Sequence, residues 1–132
     1  MKKIKLTYLI DDDEIYIFTT KKLINKIDFC EEVAVFQNGK EAIEAIKFTL
    51  RNKNELPDVI LLDLNMPIMD GWQFLDEFIR IKSEKQIKIY IVSSSVDPSD
   101  IERANTYNMV SNYIIKPISR EKLHEITEEV FA

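Results

Sequence analysis

Glycine is nearly missing from this chain, with two residues among 132, Gly39 and Gly71, far apart in sequence. Neither a GxGxxG fingerprint nor a GxxxxGK[ST] phosphate loop can be assembled from them, which excludes the commonest nucleotide-binding loops. The single cysteine, Cys30, excludes an internal disulfide and a cysteine-based zinc site; it reads as a reduced, partly buried thiol of a cytoplasmic protein. No apolar run approaches the roughly 18 residues of a membrane span. Met1-Lys2-Lys3-Ile4 leads straight into strand-like sequence with no signal-peptide core. Basic charge is in deficit, 18 Lys and Arg against 23 Asp and Glu for a net charge of −5, so a nucleic-acid surface is not indicated. What is present is 45% hydrophobic, enough for one core, and the length suits one domain over residues 1–132.

The organising stretch is Asp58 to Gly71. Val59-Ile60-Leu61-Leu62 reads as a strand covered on both faces, as in a parallel sheet. It stops at a carboxylate, Asp63. Pro67 forbids further ladder pairing, and Asp70-Gly71 is a turn into a helix. Open α/β sheets place ligands at such carboxyl ends.

The rest of the chain repeats the pattern. A strand over 4–10 ends in Asp11-Asp12-Asp13-Glu14 and leads to a helix over 14–28, with Tyr16, Leu23, Ile24 and Ile27 on one face and Asp13 as N-cap. A strand over 32–36 precedes a capping box, Asn38 to Glu41, and a helix burying Ala42, Ile43, Ile46 and Leu50; residues 51–55 read as a loop. Asp70 and Gln73 form a second capping box, opening a helix with Phe74, Leu75, Phe78 and Ile79. A strand over 87–92 runs into Ser93-Ser94-Ser95. Asp97-Pro98 starts a helix to about residue 107. A strand over 111–115 breaks at Lys116-Pro117, and Ser119 caps a last helix bearing Leu123, Ile126 and Val130. Strict alternation predicts an α/β fold, a doubly wound (βα)₅ sandwich whose parallel five-stranded sheet has the order 2-1-3-4-5.

That topology opens every strand's carboxyl end on one edge. It brings Asp11, Asp12 and Asp63 together, with Ser93 and Lys116 nearby. Like charges so close repel by on the order of a kcal/mol or more per pair, and a divalent cation removes the penalty. Oxygen-only ligands suit Mg²⁺, with Mn²⁺ as the alternative, rather than zinc. A carboxylate beside such an ion, with an ammonium and a hydroxyl in reach, can accept a phosphoryl group.

Ile10-Asp11-Asp12, Leu62-Asp63-x-Asn65-Met66-Pro67-x-Met69-Asp70-Gly71, Val92-Ser93-Ser94 and Tyr113-x-x-Lys116-Pro117 together resemble the receiver domain of bacterial two-component response regulators. The resemblance implies Asp63 as phosphoacceptor. It makes Asp11 and Asp12 the acidic pair, with Asp12 a direct Mg²⁺ ligand and Asn65 lending its backbone carbonyl. Ser93 and Tyr113 match the hydroxyl and aromatic switch residues, Lys116 the family's lysine, and Lys116–Pro117 a cis peptide. It further implies a signalling protein rather than an enzyme, phosphorylated by a histidine kinase or a histidine phosphotransfer protein and acting on a downstream protein target, with no nucleic acid or membrane partner. With three aspartates in a row the register stays open by one residue, and Ser94 competes with Ser93. Asn65 and Ser95 stand where family members tune hydrolysis. His124, the only histidine, reads as bland.

Two further readings come from the residues themselves. Ile15-Tyr16-Ile17-Phe18 opens a helix with more apolar surface than one face can bury, which suggests a partner helix docking there. A Mg²⁺-dependent phosphohydrolase with an aspartyl nucleophile is the rival function. Such enzymes carry a second acid two residues after the nucleophile, where this chain has Asn65. Little chain follows the last helix, so the protein is expected either to act alone or to be a piece of a longer one.

Overall fold

Ten elements alternate along the computed structural model, which describes residues 3–132. They are β1 (Ile4–Ile10), α1 (Glu14–Ile27), β2 (Cys30–Phe36), α2 (Gly39–Arg51), β3 (Val59–Leu62), α3 (Gly71–Ile79), β4 (Lys88–Ser93), α4 (Pro98–Asn105), β5 (Val110–Ile115) and α5 (Arg120–Val130). All strands pair in parallel in the order β2-β1-β3-β4-β5. This is the expected doubly wound sheet, with its switch point between β1 and β3.

The strand period of two divides the core. Ile60 and Leu62 of β3 face a cluster holding Ala42, Ile46, Phe74 and Leu75. Val59 and Leu61 face the opposite cluster, with Ile24, Leu123 and Ile126. α1 and α5 therefore cover one face, and α2, α3 and α4 the other. All four β3 side chains are buried, each contributing about 1.5–3 kcal/mol of transfer free energy.

The observed element ends differ from the pattern in physically readable ways. β2 begins at Cys30 rather than 32, because Cys30 still pairs with Ile4. α1 stops at Ile27; Asp28 turns left-handed at φ 59° and donates its N–H to Ile24 and Asn25 carbonyls. α2 absorbs Arg51, read from sequence as loop. α4 ends at Asn105, with Thr106 as its cap. β4 is displaced by one residue, so Ser93 is its last member. Ile79, at the end of α3, is 56% exposed instead of packed inward.

Caps fix each helix entry. The Asp13 carboxylate accepts from the N–H groups of Ile15 and Tyr16, Asp97 from Ser99, and Ser119 from Lys122. Asp70 and Gln73 form a complete capping box. Asn38 and Glu41 form half of one: Asn38 accepts from the Glu41 N–H, but the Glu41 carboxylate takes the Asn38 side-chain amide rather than its backbone N–H. Lys116–Pro117 is cis.

Both glycines serve the β3–α3 loop. A Cβ on Gly71 would sit 2.4 Å from the Asp63 carbonyl oxygen, and one on Gly39 2.9 Å from the Met69 side chain. Without side chains, the Gly71 N–H reaches the Leu64 carbonyl and the Gly39 N–H the Met69 carbonyl. The loop is thereby pinned to the starts of α3 and α2, which fixes the end of β3.

Candidate phosphoryl-acceptor site

Backbone bonds carry the ladder one residue past the strands. The Asp11 N–H donates to the Phe36 carbonyl and the Asp63 N–H to the Ile10 carbonyl, each at 2.9 Å. Asp11 and Asp63 thus leave adjacent strands side by side. Both are buried, while Asp12 is exposed. Carboxylate oxygens of Asp11, Asp12 and Asp63 lie within 4.8 Å of one another. The Asp13 N–H also donates to Asp11. With Asp13 capping α1, the run of three aspartates is resolved structurally into two acids at the sheet edge and one cap.

Lys116 enters from the end of β5. Its Nζ is 2.8 Å from Asp11 Oδ2 and 3.6 Å from Asp63 Oδ1. Its N–H donates to the Ser93 carbonyl, joining the ends of β5 and β4. Burial, then repulsion from Asp11, pushes Asp63 up to about 6, against which Lys116 pulls only partly. Burial also raises Asp11, despite its contact with Lys116. The two acids hold Lys116 protonated beyond its ordinary range, overcoming the opposing effect of burial.

The donors suit a hard divalent cation: three carboxylates, no sulfur or imidazole, and a charge imbalance that one lysine leaves uncorrected. Asn65 lies exposed two residues beyond Asp63, at the start of the pinned loop.

Ser93 is fully buried, and its Oγ accepts from the Ser95 N–H at 3.1 Å. Ser95 in turn donates its hydroxyl to Asp100 of α4 and accepts the Tyr113 hydroxyl at its carbonyl, 2.9 Å away. Ser93, Tyr113 and α4 are therefore joined through a single residue, Ser95, which spacing alone does not show. Trp72 of α3 stacks on Tyr107 with ring centres 5.9 Å apart, and the Arg103 guanidinium lies 4.4 Å from its ring. It sits between α3 and α4 rather than at the acids.

Tyr16 reads from sequence as a core residue, and it is one; its ring also lies 4.3 Å from Lys116 Nζ, a contact the pattern does not show. The signal was available: Tyr16 is the third residue after the Asp13 cap, where side chains tilt back toward the helix start and hence toward the strand ends. His124 is exposed on α5, away from these groups.

Comparison with known proteins agrees with this geometry. A family model described as the response regulator receiver domain matches residues 7–128. Among curated proteins, a probable methanogenesis regulatory protein, FilR2, of Methanothrix harundinacea is 27% identical, the match covering 92% of this chain and 78% of that one. A protein-glutamate methylesterase/protein-glutamine glutaminase of Methanococcoides burtonii is 30% identical over 94% of this chain, but only 33% of that protein is spanned. A two-component response regulator from Cytophaga hutchinsonii superimposes with a TM-score of 0.90 at 29% identity, covering 98% of both chains. A response regulator receiver protein from Dyadobacter fermentans gives 0.82 at 30% identity, covering 96% of this chain and 98% of the other.

Proposed function

Since the chain belongs to the response regulator receiver domain family of two-component signalling, we propose that Asp63 is its phosphoacceptor and that Asp11, Asp12, Asp63 and the Asn65 backbone carbonyl hold Mg²⁺. The observation that carries this reading is the position of Lys116, in contact with both buried acids of a three-carboxylate cluster. A bound Mg²⁺ would offset carboxylate repulsion and developing charge on the phosphoryl oxygens.

The chain's own residues supply the rest. An oxygen of the ionised Asp63 attacks phosphorus as the bond from phosphorus to the donor's imidazole nitrogen breaks, with the electron pair leaving on the imidazole. An acyl phosphate forms on Asp63. Lys116, between the acids, neutralises charge on the incoming group. The Ser93 hydroxyl donates to a phosphoryl oxygen and leaves the Ser95 N–H, loosening the link from Ser95 to Tyr113 and Asp100. The face built by α4, β5 and α5 changes as a result.

Response regulator receiver domains interact with histidine kinases and downstream targets. Here we assign phosphodonor docking, from a histidine kinase or phosphotransfer protein, to the start of α1. Ile15 and Phe18 are 78% and 63% exposed there, while Tyr16 between them is buried. Serine at both positions is expected to slow transfer from a protein donor while leaving labelling by acetyl phosphate unchanged; unchanged protein-donor rates would reject the assignment.

The rival hydrolase reading is tested by acetyl phosphate with Mg²⁺. A receiver retains one phosphoryl group per chain, released by hydroxylamine as expected of an acyl phosphate. Continuous phosphate release without retained label would favour the hydrolase.

A further inference from the structure

Among the described residues, Lys116 is the cation paired with the two buried acids, its ammonium 2.8 Å from Asp11 and 3.6 Å from Asp63. A lysine carries its charge on a flexible four-carbon stem and is strongly hydrated, so two carboxylates that repel each other do not by themselves fix its position. A further contact of its ammonium is aromatic. The Tyr16 ring, from the first turn of α1, lies with its centroid 4.3 Å from Lys116 Nζ. Tyr16 as a whole is 8% exposed, so its ring shields the ammonium from water on that side. Its hydroxyl is buried and has no hydrogen-bond partner. Burial raises the hydroxyl's pKa far above the ordinary phenol range, and Asp11 and Asp63 add to the rise. The hydroxyl therefore stays neutral, with Thr20 the side chain that acts on it. The ring packs with the core on the α1 side and meets the Lys116 ammonium at the sheet edge.

We infer that Tyr16 is a positioning residue for phosphoryl transfer. The face of its ring holds the Lys116 ammonium against Asp11 and Asp63, where charge on the incoming phosphoryl group is offset. The inference rests on the assignment of Asp63 as phosphoacceptor. Aromatic chemistry suits the task because the ring's negative face attracts a cation without adding a full charge. A carboxylate in the same place would also hold the lysine, but it would bring a fourth anion into a cluster that already repels itself.

The test compares Tyr16→Leu, Tyr16→Phe and Asp63→Ala with the unaltered chain, following the rate of labelling by acetyl phosphate in Mg²⁺ at a temperature where all are folded. Tyr16→Leu is expected to label about three- to thirtyfold more slowly, the range that corresponds to a partly desolvated cation–π contact. Tyr16→Phe is expected to label at the original rate. A second reading guards against poor folding of the leucine variant: the Lys116 Cε–H nuclear resonance should be ring-current shifted in the unaltered protein and in Tyr16→Phe. Labelling of Tyr16→Leu at the original rate with Asp63→Ala unlabelled overturns the role of Tyr16 alone, as does a slow Tyr16→Phe or an unshifted Lys116 resonance. Full labelling of Asp63→Ala overturns the phosphoacceptor assignment itself.

Discussion

The Tyr113 hydroxyl donates to the Ser95 carbonyl across 2.9 Å, while the same residue's N–H holds the Ser93 hydroxyl. One residue thus joins the buried serine beside the acids, the half-buried tyrosine on the edge strand and, through Asp100, the first turn of α4.

Removing that tyrosine hydroxyl should uncouple the two ends. Tyr113→Phe is expected to cost about 1 kcal/mol, the usual worth of one net hydrogen bond. It should also shrink the response of α4. Trp72, stacked between α3 and α4, is the natural reporter. Its fluorescence should change when beryllofluoride and Mg²⁺ are added, and the change should be smaller in Tyr113→Phe and in Ser93→Ala. Equal amplitudes in all three proteins would sever Ser95 from the switch.

Stability should depend on pH in a direction set by Asp63. Its folded value, about 6, lies above the ordinary carboxylate value of 3.8. The folded state therefore binds that proton more tightly than the unfolded chain, so the associated stability is complete below about pH 4 and is lost as pH rises through about 6. The loss is on the order of 3 kcal/mol for a shift of this size. Mg²⁺ opposes the same repulsion, so it should raise the melting temperature more at about pH 8 than at about pH 5. An equal rise at both would mean that the cation binds elsewhere.

Gly71 sets how closely α3 approaches the end of β3. Gly71→Ala would place a methyl group 2.4 Å from the Asp63 carbonyl oxygen, and backbone on both sides must move. A cost of about 1–3 kcal/mol is expected, as for overpacking in a tight core, together with slower labelling because Asp63 moves with its carbonyl. A variant as stable and as active as the original would show that the contact relaxes freely.

Much of this was legible in the chain because the fold announces itself through period and punctuation. The unbroken run Val59 to Leu62, stopped by Asp63, gave the central strand and the functional acid's place on it. The Asp97-Pro98 and Ser119 starts were readable from cap chemistry. Other features depend on three-dimensional neighbours. Cys30 belongs to β2 because it pairs with Ile4, and Ser93 is the last residue of β4 rather than the first of a loop. Glu41 chose the Asn38 side-chain amide over its backbone, which a spacing rule cannot foresee. Tyr16 is core, as its helical spacing predicts, but only the tilt of a side chain in the first helical turn brings it to Lys116 as well. Exposure of Ile15 and Phe18, by contrast, follows directly from four apolar residues exceeding what one helix face can bury.

The central claim is that a buried aspartate at the end of β3 is the group modified. Intact mass after treatment with acetyl phosphate and Mg²⁺ tests it most directly. The unaltered protein should gain the mass of one phosphoryl group and Asp63→Ala none, with circular dichroism showing both folded. A phosphoryl adduct on the alanine variant would contradict the account.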